Sequence, residues 1–260
     1  MEKIKRGETV TTAIIQARMS STRLPGKVLL PLCDKTALEH IVDRVYAARN
    51  VDSVLVATSV NKTDDSIERK CAMMGVPVFR GSEDNVLERF YCAAKQMKTD
   101  VIVRITADDP LKDPEVIEEI IELQKIGKFD YVSNTVHPSF PEGLDCEVFT
   151  YEALEKAYLH AELASEKEHV TPYIWKRPEM FRIGEIKAPA NLSELRWTMD
   201  CPEDYEFMKE IYQNLYVPGE IFYMRDILKF LELHPEIGRI NEGHIRNEGY
   251  LKSIQQERSL

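Results

Sequence analysis

Short apolar runs separated by amphipathic stretches dominate the first half of the chain. Thr12–Ile15, Ser53–Thr58, Val76–Phe79 and Asp100–Ile105 have the length and β-branched content of buried strands. Between them lie segments with apolar residues at helical spacing. Thr36-Ala37-Leu38-Glu39 reads as a helix start with a capping box, and Leu38, Ile41, Val42 and Val45 share one face. Asp64–Met74 has acids in its first turn and Gly75 just past its end. Asn85–Lys98 places Val86, Phe90, Ala93 and Ala94 inward, and Pro114–Ile126 follows the fourth strand. This alternation predicts an α/β fold with a mostly parallel sheet and helices on both faces.

The second half is less regular. From Tyr131 to Ile186 it carries Pro138, Pro141, Gly143, Pro172 and Pro178, and it reads as an excursion (131–186) from the sheet. A strand at Cys146–Phe149, helices at Tyr151–His160 and Glu166–Trp175, and a strand at Phe181–Ile186 are expected within it. A further strand, Leu195–Thr198, precedes a helix at Pro202–Leu215. The tail 217–260 holds an amphipathic helix, Met224–Leu233, and then a polar segment. The expected organisation is one domain over residues 1–260.

Composition adds limits. The 260 residues are 43% hydrophobic and 30% charged, with a formal net charge of −10, which is ordinary for a globular chain and argues against a general nucleic-acid surface. The five cysteines are scattered and form no C-x-x-C or Cys/His cluster in sequence, so neither a disulfide framework nor zinc is suggested. The start, MEKIKRGETV, has no apolar signal core, and no run approaches a membrane span. A cytoplasmic, reducing location is expected, with no membrane and no nucleic-acid partner.

Candidate chemistry sits where predicted strands end. After Thr12–Ile15 the chain runs Gln16-Ala17-Arg18-Met19-Ser20-Ser21-Thr22-Arg23-Leu24-Pro25-Gly26-Lys27. Its three cations, spaced by small polar residues, lie at the carboxyl edge of the sheet, where open α/β sheets bind ligands, and suit polyphosphate oxygens. The loop is neither a dinucleotide fingerprint nor a P-loop; on charge alone a solvated surface loop fits as well. Thr106-Ala107-Asp108-Asp109-Pro110 puts two carboxylates at another strand end, where they either cap the next helix or bind a hard divalent cation. Thr198-Met199-Asp200-Cys201-Pro202-Glu203-Asp204 reads by itself as a helix cap by Asp200 before Pro202.

Together these stretches resemble the cytidylyltransferases that activate sugar acids, above all the spore-coat polysaccharide branch, with 3-deoxy-manno-octulosonate and, more distantly, acylneuraminate cytidylyltransferases as relatives. Phe79-Arg80-Gly81-Ser82-Glu83-Asp84-Asn85-Val86-Leu87-Glu88-Arg89-Phe90, Pro141-Glu142-Gly143-Leu144-Asp145-Cys146-Glu147, Glu166-Lys167-Glu168-His169-Val170-Thr171-Pro172 and Gly249-Tyr250-Leu251-Lys252-Ser253 match that branch too. The octulosonate branch has Gln-Gly-Asp-Glu-Pro at the acidic turn; this chain keeps the carboxylate at Asp108 but not the Gln. The resemblance implies a nucleotide-diphospho-sugar transferase-like, Rossmann-like fold. It implies a reaction in which CTP gives CMP to an anionic sugar-type acceptor with release of pyrophosphate, for surface polysaccharide biosynthesis.

The same resemblance implies roles. Arg18 and Lys27 are catalytic. Gln16, Ala17, Arg18, Ser21, Arg23 and Lys27, with Arg80 and Ser82, bind nucleotide. Asp108 and Asp200 hold one or two Mg²⁺ ions. Asp145 and Glu147, two apart in a strand and therefore on one face, bind the acceptor with His169. For Ser82 a helix cap, and for His169 a structural hydrogen bond, are the plain alternatives. A homodimer with the 131–186 segment as arm is also implied. Two other functions fit the same residues: a glycosyltransferase holding a metal–diphosphate on Asp108 and Asp109, and a non-catalytic nucleotide-binding relative.

Overall fold

The computed structural model describes residues 9–257; the charged start at residues 1–8 and the last three residues of the tail lie outside the described residues. In chain order the strands are β1 (Thr11–Gln16), β2 (Pro31–Leu32), β3 (Lys35–Thr36), β4 (Ser53–Ser59), β5 (Val78–Gly81), β6 (Val101–Thr106), β7 (Tyr131–Ser133), β8 (Glu147–Thr150) and β9 (Ile183–Glu185). The helices are α1 (Ala37–Ala47), α2 (Asp65–Met74), α3 (Val86–Met97), α4 (Pro114–Gly127), α5 (Tyr151–His160), α6 (Ala164–His169), α7 (Pro172–Trp175), α8 (Pro202–Leu215), α9 (Met224–Leu233), α10 (Pro235–Gly238) and α11 (Glu248–Glu257).

Seven strands form one sheet in the order β5-β4-β1-β6-β8-β7-β9, and β2 pairs with β3. Within the seven-stranded sheet only β8 runs against its neighbours, β6 and β7, and the other pairings are parallel; β2 and β3 pair antiparallel. Period-two alternation sorts the strand residues between two cores. Ala13, Ile15, Val54 and Val56 pack with the inner faces of α1, α4 and α8, whereas Ile14, Leu55 and Ala57 pack with α3 and α5. The expected helices on both faces are therefore present. The capping box at α1 forms, with the Thr36 side chain on Glu39 N and Glu39 on Thr36 N.

Four local expectations are corrected. The 131–186 segment does not leave the sheet: β7, β8 and β9 all belong to it. Its prolines lie in the connections, so they interrupt the pattern without preventing pairing. β5 starts at Val78 rather than Val76, because Pro77 has no N–H for the ladder; its carbonyl still accepts from Val56 N at 3.0 Å. The helix expected over Glu166–Trp175 is broken at Val170, whose φ is +70°, before Pro172 restarts it as α7. Leu195–Thr198 is not a strand. It makes one parallel bridge, Arg196 with Glu142, reinforced by Trp197 N on Glu142 O at 2.6 Å, and the irregular loop it faces offers no longer ladder. The polar end of the tail is itself ordered as α11, which packs on α6.

Candidate active site

β1 sits between β4 and β6, so the chain leaves the sheet in opposite directions around it, and a cavity of about 710 Å³ opens at the carboxyl ends of β1 and β6. The loop after β1 folds on itself through Ser21 N and Gly26 N, both donating to Met19 O at 2.9 and 3.1 Å. It is tied to the sheet by Met19 N on Asp64 Oδ1 at 2.8 Å. The fold-back carries Lys27 into a short 3₁₀ turn, Lys27–Leu29, where it is buried.

There Lys27 Nζ donates to Asp108 Oδ2 at 2.6 Å and to Asp200 Oδ1 at 2.5 Å. Residues far apart in sequence thus meet on one ammonium group. Burial alone would lower its pKa, but the two carboxylates hold it above the ordinary lysine value. Burial would raise Asp108, but Lys27, helped by a backbone hydrogen bond and Lys112, leaves it below the usual carboxylate range. The backbone fixes the meeting: Met199 N donates to Asp108 O at 2.8 Å, joining the two acidic loops. Asp200 does not cap α8. Asp204 does so, accepting from Cys201 N at 3.1 Å and Asp200 N at 2.8 Å, which leaves the Asp200 carboxylate for Lys27 and for Arg23 at 3.3 Å.

Gln16, Ala17, Arg18, Ser21 and Arg23 all line this cavity with Lys27. Arg18 is exposed and makes no ion pair among the described residues. Arg23 also pairs with Glu248 of α11. Asp145, Glu147 and His169 border the same space, but their polar groups are engaged. Asp145 pairs with Arg246. Glu147 pairs with Arg104 and accepts from Tyr131 Oη at 2.6 Å and Thr171 Oγ1 at 2.5 Å. His169 Nε2 lies 2.9 Å from Ser253 Oγ, and burial pushes its pKa down to about 4.

Arg80 and Ser82 are not brought to the cavity. Arg80 is spent on Asp65 and Glu68, both at 2.7 Å, and on the carbonyls of Ser59 and Asn61. Ser82 Oγ accepts from Asn85 N at 3.0 Å and braces the turn before α3; the cap itself is Asn85, whose side chain accepts from Glu88 N at 3.0 Å. Asp109, beside Asp108, turns to buried Lys112 at 2.8 Å; burial pushes its pKa up to about 6 although Lys112 opposes this. It is a structural partner rather than a second free acid.

Sequence reasoning overlooked several residues that complete the cavity wall, among them Arg89, Arg104, Glu142, Arg196 and the start of α11. A signal existed for Arg104, a lone charge inside an otherwise apolar strand. For α11 the signal was the match of Gly249-Tyr250-Leu251-Lys252-Ser253 to the spore-coat branch, which gave those residues no place in the site; Gly249, Tyr250 and Lys252 reach it because the tail folds back. The fold also brings Cys201 Sγ to 3.5 Å from His244 Nε2, beside Glu203; with burial pushing the thiol up to about 11, this is a thiol–imidazole hydrogen bond. Among the described residues no helix is long and apolar enough to cross a membrane.

Comparison with known proteins agrees with this geometry. The chain is 38% identical over 210 residues to the spore coat polysaccharide biosynthesis protein SpsF of Bacillus subtilis, covering 77% of this chain and 85% of that one. It is 37% identical over 112 residues to 3-deoxy-manno-octulosonate cytidylyltransferase of Geobacter sulfurreducens, 42% of this chain and 43% of the relative. Among solved structures, a cytidylyltransferase from Leptospira borgpetersenii superposes with a TM-score of 0.85 at 32% identity, covering 92% of this chain and 100% of that chain. The cytidylyltransferase family profile matches residues 12–226. With its sheet of the nucleotide-diphospho-sugar transferase kind, the chain belongs to the cytidylyltransferase family and is a nucleotidyltransferase.

Proposed function

We propose that this enzyme transfers CMP from CTP to the hydroxyl of a sugar acid and releases pyrophosphate, in the service of surface polysaccharide synthesis. The observation that carries the reading is the contact of Lys27 with both Asp108 and Asp200 at the mouth of β1 and β6. The octulosonate relative supports a sugar acid as acceptor, and SpsF supports the polysaccharide role.

An acceptor oxygen attacks the α-phosphorus in line. The new O–P bond forms as the bond to the pyrophosphate oxygen breaks, and the hydroxyl proton passes to solvent. The protein needs little covalent chemistry for this, so its residues act by position and charge. Lys27 and Arg18 neutralise phosphate oxygens, and Arg23 holds the departing pyrophosphate once it exchanges Glu248 for the ligand. Asp145, Glu147 and His169 border the acceptor side, with their side chains already fixed by hydrogen bonds.

Asp108 and Asp200 are hard oxygen donors already converging on one cation, the Lys27 ammonium, and this arrangement fits a divalent ion that the two carboxylates would hold. When bound there, Mg²⁺ would supply Lewis-acid polarisation of the α-phosphate. Lys27 would then turn from the carboxylates to the phosphate oxygens.

The test is a screen of the four nucleoside triphosphates against a panel of sugar acids, reading pyrophosphate. Release with CTP and one sugar acid is expected. Release of a nucleoside diphosphate from a sugar nucleotide instead would make the protein a glycosyltransferase. CTP binding without turnover on any acceptor would make it a non-catalytic relative.

A further inference from the structure

The same cavity is faced by a buried cation that has no acid partner. Arg89, the fourth residue of α3, is only 2% exposed. Its Nε is buried without a hydrogen-bond partner. Its one side-chain hydrogen bond among the described residues runs from Nη1 to the Ser82 carbonyl at 3.1 Å. Arg18 is its like-charged neighbour, and that residue also lacks an ion pair among the described residues.

Three costs fall on this one side chain. Its charge is buried. A second guanidinium repels it: burial first, and then Arg18, push its pKa down to about 10, while Asp64 and Glu83 offset only part of this without forming an ion pair. It also stands near the N-terminal end of a helix, where the dipole disfavours cations. The approach is nonetheless built. A Cβ on Gly81 would lie 2.9 Å from Phe79 Cε1 and 3.2 Å from Arg89 Cγ, so a side chain there would displace the Phe79 ring and crowd the Arg89 stem that glycine leaves free. A charge held against local preference, with its support provided and its counter-charge missing, marks a ligand site.

We propose that Arg89 completes, beside Arg18, an oxyanion subsite that takes an anionic group of a substrate. Two sources offer that chemistry, a nucleotide phosphate and the carboxylate of a sugar acid. The identity of those substrates rests on the function proposed above; the existence of an anion site does not.

The test compares wild type with Arg89→Met and Arg18→Met. Calorimetry would give affinities for inorganic pyrophosphate, CTP, CMP and 3-deoxy-manno-octulosonate, and thermal unfolding would be followed without ligand. Arg89→Met keeps the length of the stem and removes an uncompensated buried charge. It should therefore unfold at the same or a higher temperature while one ligand class binds at least about tenfold more weakly. Arg18→Met, at an exposed position, should weaken the same class. Loss confined to pyrophosphate and CTP assigns the site to phosphate; loss confined to the sugar acid assigns it to carboxylate. Unchanged affinities for all four ligands in Arg18→Met and Arg89→Met would overturn the subsite, as would a lower unfolding temperature of Arg89→Met with unchanged binding. If Arg89→Met does not fold, unchanged binding by Arg18→Met alone overturns it. Weakened binding in an enzyme that turns over no acceptor would keep the subsite and refute the proposed transfer.

Discussion

Lys27 holds two acids at once, so its removal exposes both to mutual repulsion and takes a cation from the phosphates. Removing one preorganised donor typically costs about 2.7–4 kcal/mol of transition-state stabilisation. Lys27→Ala should accordingly lower kcat by roughly two to three powers of ten, with circular dichroism confirming that the fold survives; near-normal turnover would remove Lys27 from the mechanism. His169 gives a pH-dependent prediction. Its folded pKa, about 4, lies below that of an unfolded histidine, so its contribution to stability is present above about pH 6.5 and is lost as pH falls toward 4. Asp109, pushed up to about 6, acts in the opposite sense: its contribution is present below the ordinary aspartate range and is lost as pH rises through 6. His169→Asn removes only the first effect. The unfolding temperature of wild type relative to that variant should therefore drop as pH goes from 6.5 to 4, and a constant difference would mean the ring is not held neutral.

At the scale of elements, the loop between β7 and β8 joins the two halves of the cavity wall. Gly143 has a φ of +103°, and a Cβ there would lie 2.2 Å from Trp197 O. Both the conformation and the close approach need glycine. Gly143→Ala should destabilise by about 1–3 kcal/mol or more in denaturant unfolding, and should loosen the Glu142–Arg196 bridge that sets the Asp200 loop; an unchanged midpoint would show the loop tolerates a shift. Several elements were legible from local signals. Tyr151–His160, Pro202–Leu215 and Met224–Leu233 have the expected bounds, because caps, prolines and apolar spacing act over a few residues. Arg80 and Arg89 show the limit. They are nine positions apart in one recognised stretch, yet Arg80 is consumed by α2 and Arg89 enters the cavity. Which one points inward depends on where β5 ends and on the phase of α3, which resemblance in sequence does not supply.

At the scale of the whole molecule, a chain of net charge −10 gathers, among the described residues, seven arginine and lysine side chains around one cavity, against eight acidic ones. A ligand that binds only the folded state raises its stability, by about 2.7 kcal/mol at a hundredfold excess over Kd. CTP with Mg²⁺ should raise the unfolding temperature more than either alone. In Asp200→Asn the Mg²⁺-dependent part of that rise should shrink, with turnover losing its normal metal profile; an unaltered metal response would refute the assignment of Asp200.

The amino-acid order by itself determined the strand–helix alternation, the loop with its three cations and the two acidic turns, since each is a matter of neighbours within a few positions. Only the tertiary structure decided that β8 inserts antiparallel between β6 and β7, that Asp204 rather than Asp200 caps α8, and that α11 returns over the cavity. Strand order, the sharing of hydrogen-bond donors and the docking of a tail are choices among distant partners, settled by which whole arrangement buries apolar surface and pairs its charges.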